Sequence, residues 1–131
     1  MIGLDSNILL RYIVQDHPLQ SPRATRFIET ELTPDNPGFV STVALAETVW
    51  VLGRSYRFKN EAVASAVERI LEIDVLVVEK KQEVFTAMEA MRLHNHGFAD
   101  VLIGALGASA GCTHTVTFDH DASGIPGFAL L

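Results

Sequence analysis

Apolar and polar positions follow two rhythms along this chain, and the switches between them mark its elements. Ile2 to Leu4 is a short apolar opening that predicts a buried strand. Ser6 stands where a helix cap belongs, before a stretch from about Asn7 to Val14 that is apolar nearly all round. Pro18 and Pro22 bracket the start of a second helix, with Ala24, Phe27, Ile28 and Leu32 at helical spacing. Pro34, Asp35, Asn36, Pro37 and Gly38 make a turn, and Phe39 to Ser41 a short strand. Thr42 to Tyr56 predicts a long helix, and Ala62, Val63, Ala66, Val67, Ile70 and Leu71 form the stripe of another.

The second half repeats the alternation. Val75 to Val78 is a β-branched run of strand length. Val84, Phe85, Met88 and Met91 space as a helix face that breaks at His94 to Gly97. Phe98 to Ala110 predicts a small-residue helix stopped by Gly111, Thr113 to Phe118 a strand, and Phe128 to Leu131 a final short one. Strands alternating with helices predict an α/β fold with a parallel sheet covered on both faces. In such sheets ligands bind beyond the carboxyl ends of the strands.

The 131 residues suffice for one domain, 1–131, with its own core. With 48% hydrophobic and 20% charged residues, the composition is that of a globular protein and not a disordered one. No apolar run reaches membrane-spanning length, and no basic-then-apolar opening suggests a signal peptide. Cys112 is the single cysteine, which excludes an intramolecular disulfide and fits the cytoplasm. A net charge of −6 argues against a binder that works by bulk attraction to phosphates, but not against an enzyme with an acidic metal pocket.

Candidate chemistry comes from acids in apolar surroundings. Asp5 is the one charge among the first ten residues, directly after the first strand. Glu47 is the one charge between Gly38 and Gly53, and Asp100 the one charge between Gly97 and Gly111. Asp119 follows the strand that ends at Phe118, with Asp121 two residues later. A carboxylate buried without a partner costs several kcal/mol or more, so such groups protonate or find a cation. Hard oxygen donors without a Cys or His cluster suit Mg²⁺ or Mn²⁺. Plainer roles compete for each residue: helix caps for Asp5 and Asp100, a solvated face or an Arg54 pair for Glu47, and turn chemistry for Asp119 and Asp121.

His94 and His96 lack the spacing of a helical ligand pair, and His17, His114 and His120 read as surface residues. Cys112 reads as a buried structural thiol. Phosphate-gripping charge is offered by Arg11, Arg23, Arg26, Arg54, Arg57 and Lys59, with Arg11 favoured because it lies close after Asp5.

Four segments in order resemble the PIN-domain family, and more closely its bacterial VapC-type toxins: Leu4 to Tyr12, Val40 to Leu52, Phe98 to Ala105, and Thr115 to Asp121. The resemblance implies a three-layer α/β/α sandwich with a central, mainly parallel sheet. It also implies RNA cleavage dependent on Mg²⁺ or Mn²⁺, a homodimer, and inhibition by a small antitoxin protein. Asp5, Glu47, Asp100 and Asp119 match the family's acids, with Asp121 an alternative for the fourth. Asn7 and Thr117 match its neighbouring polar positions, and Ser6, Asn7, Thr117 and Asp121 are expected to orient water or phosphate. The expected reaction is attack by an activated water that leaves a 5′-phosphate and a 3′-hydroxyl.

Other enzymes fit less well. A haloacid-dehalogenase-like phosphatase wants a second Asp where Asn7 stands, and a receiver domain wants paired acids after its first strand. Two alternatives remain, a PIN nuclease of RNA processing that is no toxin and an inactive domain that binds RNA or protein. The apolar helix from Asn7 to Val14 calls either for a protein partner or for full burial.

Overall fold

The computed structural model describes all residues from Met1 to Leu131. Its contacts group into two compact units, Met1–Lys80 and Lys81–Leu131. The first holds β1 (Ile2–Gly3), α1 (Ser6–Val14), α2 (Gln20–Arg26), β2 (Gly38–Val40), α3 (Thr42–Arg54), α4 (Asn60–Glu72) and β3 (Leu76–Val78). A π-helical turn, Phe27–Glu31, continues α2. The second holds α5 (Lys81–His94), α6 (Phe98–Ser109), β4 (Thr115–Thr117), a 3₁₀ turn (Ala122–Gly124) and β5 (Phe128–Leu130).

The expected parallel pairing is present in both units. In the first, β2 is central and runs parallel to β1 and β3, with Gly38 opposite Ile2 and Leu76. Gly38 lies beneath three leucine side chains. A Cβ would lie 2.9 Å from methyls of Leu32 and Leu76 and 3.2 Å from Leu4. The ladder runs one residue beyond the strands, since the Leu4 N–H donates to the Phe39 carbonyl and the Glu79 N–H to the Val40 carbonyl, both at 2.9 Å. Asp5, Ser41 and Glu79 therefore leave the sheet at the same end, the carboxyl ends of its strands.

The core of this unit is apolar: Leu9, Leu45 and Leu52 are fully buried, as are Val40, Val67 and Ile70 to within 2%. It is built from one stripe of each helix, with α1 against α2 and α3, and α3 against α4. The full burial of α1 offered as one reading does not occur. Leu9 and Ser6 are buried, whereas Ile8, Leu10, Tyr12, Ile13 and Val14 are half-buried. Polar contacts hold α1 to α2: Tyr12 Oη donates to Glu29 at 2.9 Å, and Gln15 Nε2 to Thr25 at 2.8 Å. Burial and the Glu29 bond together raise the Tyr12 pKa above its ordinary value.

In the second unit α5 packs on α6, burying Val84, Ala87, Met88 and Met91 with Phe98, Val101 and Leu102. β4 and β5 are parallel, with Thr115 opposite Phe128. The Phe128 ring lies over Gly104, where a Cβ would come within 2.5 Å of it. Gly111 ends α6 in the left-handed region (φ +100°), as its position after the helix suggests. The chain then emerges at the surface, so Cys112 is an exposed thiol and not the buried one expected.

Candidate active site

The first unit brings two of the four candidate acids together. Asp5 is the N-cap of α1, in extended conformation (φ −77°, ψ 157°). Its Oδ1 accepts the Ser6 N–H at 2.7 Å. The expected cap was Ser6, one residue on, but Ser6 is already helical and its hydroxyl turns elsewhere. It donates to Glu47 Oε1, with Asp5 Oδ1 at 3.4 Å as a second, more distant neighbour. Ser6 is only 5% exposed, so the bridge is built into the packing of α1 on α3. One hydroxyl thus links carboxylates contributed by β1's end and by the middle of α3.

These acids are not buried among their apolar neighbours, as the pattern suggested. Asp5, Glu47 and Asp119 are exposed and Asp100 is half-buried. The physical reason is amphipathicity: α3 turns Leu45, Thr48 and Leu52 inward and Glu47 outward. Arg54, the other partner considered for Glu47, lies instead over the Trp50 ring, 5.6 Å from its centroid.

In the second unit Asp100 is the third residue of α6. The capping role that competed for it is not taken up, because α6 has no side-chain cap bond. Room for its carboxylate comes from Gly97, where a Cβ would stand 3.0 Å from Asp100 Oδ2. Asp119 does take up turn chemistry. Its Oδ1 accepts the Asp121 N–H at 2.9 Å, and its own N–H donates to Thr117 Oγ1 at 3.0 Å. Thr117, Asp119 and Asp121 therefore form one local cluster, exposed at both acids.

Asn7 and Arg11 line a cavity of about 490 Å³ with Ile8, Gln20, Arg23 and Phe27. The Arg11 guanidinium is held by Gln20 at 2.8 Å and by Asp16 and Tyr56 at 3.3 Å each. His94 and His96 stand 5.9 Å apart by ring centroids in a tilted arrangement.

One acid of this sheet end was missed. Glu79 follows β3 directly, and its Oε1 accepts the Thr42 N–H at 2.8 Å and the Thr42 hydroxyl at 3.0 Å. Those two bonds, the backbone one foremost, hold its carboxyl below the ordinary glutamate range. Ser41 caps the same helix by accepting the Ala44 N–H at 3.0 Å. The signal for Glu79 was the one used for Asp5 and Asp119, an acid just after a strand.

The donors available are hard oxygens. Asp5 Oδ2, Glu47 Oε2 and both oxygens of Asp100 accept no hydrogen bond from the chain, so they suit a divalent cation by type. Within neither unit do three or more His, Cys, Asp or Glu side chains gather as a ligand set.

The family model for the PIN domain matches residues 2–127 of this chain. The chain therefore belongs to the PIN-domain family, and all of its strand pairs, in both units, are parallel as an α/β fold requires. Among solved structures it is similar to VapC20 of Mycobacterium tuberculosis, a toxin that cleaves the sarcin–ricin loop. The identity is 22%, the similarity covers 94% of this chain and 93% of that one, and the TM-score is 0.48. A search of curated proteins finds no match.

Proposed function

We propose that this protein is an endoribonuclease dependent on Mg²⁺ or Mn²⁺, and the toxin of a VapC-type toxin–antitoxin pair. The observation that carries the nuclease reading is the Asp5–Ser6–Glu47 bridge at the carboxyl end of a parallel sheet, in a chain of the PIN family. Two anionic side chains held side by side and open to solvent favour a cation more than any neutral ligand. In this reading Asp5, Glu47, Asp100 and Asp119 are the metal-holding acids, with Asp121 beside the fourth. A bound divalent ion supplies charge stabilisation for the phosphodiester and acidifies the attacking water. Ser6 fixes the orientation of two of the acids, and Thr117 that of the Asp119 turn. Full toxin character adds a homodimer and a small antitoxin protein as partners, in the cytoplasm.

Asp5→Asn and Asp100→Asn test the chemistry. Asparagine caps a helix as well as aspartate does, so the first change leaves α1 intact while removing the charge. Both variants should fold normally by circular dichroism and lose cleavage of single-stranded RNA in Mn²⁺. Full turnover in either would remove that residue from the mechanism. The toxin role is tested by growth arrest on expression of the wild type, relieved by Asp5→Asn.

A further inference from the structure

α3 presents one narrow stripe to solvent. Val43, Glu47, Trp50 and Arg54 recur at alternating steps of four and three residues, so they fall on a single face of the helix. All four are exposed, Val43 at 78% and Trp50 at 61%. The opposite face, Leu45, Thr48 and Leu52, is buried. An indole left this open on a helix places a large apolar surface in water, and its amphipathic ring suits a recognition surface. Arg54 lies over the ring and Glu47 stands one turn before it.

Two kinds of occupant fit an exposed tryptophan, an apolar face of another protein or a nucleobase. A protein helix laid along this stripe would have to desolvate Glu47 and Arg54, neither of which has an ion-pair partner on this chain. A single-stranded nucleic acid meets Trp50, Arg54 and Glu47, three of the four stripe residues, in their own chemistry: a base plane for the indole, a phosphate for the guanidinium, and the backbone to be cut near Glu47. We propose that Trp50 is a stacking platform for a base of the RNA strand, one helical turn from the acid pair, and that Arg54 steadies the ring and contacts a flanking phosphate. This rests on the nuclease reading above and adds a substrate-positioning site to it. Stacking on an aromatic ring tolerates any base, so the platform fixes where the strand lies and leaves sequence choice to other contacts.

Trp50 is the protein's one tryptophan, so its fluorescence reports the site directly. The wild-type chain in EDTA, titrated with a short single-stranded oligoribonucleotide, should be quenched. An oligomer of equal length and charge with abasic residues should quench far less. Trp50→Ala should raise KM for RNA cleavage by about tenfold or more with kcat nearly unchanged, and Trp50→Phe should restore most of it. Equal quenching by the abasic strand, or an unchanged KM in Trp50→Ala, overturns the proposal. So does a change of molar mass by light scattering in Trp50→Ala with RNA binding intact, which would assign the stripe to a second copy of this chain. If the wild type cleaves no RNA, the nuclease reading fails separately. Base-dependent quenching would then still support the platform as a binding site, and its absence would overturn it.

Discussion

Ser6 shows how much one buried hydroxyl can decide. It is small enough to sit between α1 and α3, and its single donor goes to Glu47 while its N–H goes to Asp5. Removing the hydroxyl leaves the Asp5 cap in place and releases Glu47 into water. Ser6→Ala should therefore cost about 1 kcal/mol of stability in denaturant unfolding. Its larger effect should be on cation affinity, which should fall on the order of 10–100-fold in a Mn²⁺ titration of activity. An unchanged Mn²⁺ requirement would reduce Ser6 to a packing residue. At this scale Asp5, Glu47 and Asp100 stand out in the sequence because each interrupts an apolar run, and Asp119 because it follows a strand; that they hold a metal is the proposal above. The role of Ser6 was legible only in part. Its motif position marked it, but its proton goes to a residue 41 positions away. No local pattern encodes that partner.

The elements place these side chains through their ends. α3 begins at the rim where β2 finishes, and its first N–H groups are satisfied by Ser41 and by Glu79 from the neighbouring strand. The lowered Glu79 pKa sets the sign of a pH effect. A depressed folded pKa contributes stability that is present above the ordinary value of 4.5 and is lost as pH falls through the lower folded value. Glutamine keeps an acceptor for both Thr42 donors and removes the charge at the helix N-terminus. Glu79→Gln should thus destabilise the protein at neutral pH by about 0.5 kcal/mol. The gap to wild type should close as pH drops below 4.5 in thermal melts. A gap that stays constant with pH would mean that the charge is idle. The strands and α-helices were readable from periodicity, with most boundaries shifted by a residue or two, but the π-helical turn Phe27–Glu31 and the 3₁₀ turn Ala122–Gly124 were not. α1 starts at Ser6 and not near Asn7, because Asp5 takes the capping bond.

For the whole molecule, of net charge −6, the cation site proposed above carries a consequence for global stability. A cation that binds only the folded protein stabilises it by mass action. Mn²⁺ at about a hundred times its dissociation constant should raise the melting temperature of the wild type by about 5–10 °C. Asp5→Asn should lose that rise. A rise of equal size in Asp5→Asn would place the ion elsewhere. What the sequence determined alone was the alternation of strands and helices, the parallel class, the acids and the family that their order resembles. Each of these is written in local spacing, which hydrophobic burial reads directly. Only the tertiary structure decided that Asp5, Glu47 and Asp119 stand at the surface, that one serine joins two of these acids, that Glu79 holds the start of α3, and that Trp50 faces water. Those facts depend on which faces pack together, and packing couples residues too distant along the chain for any periodicity to connect.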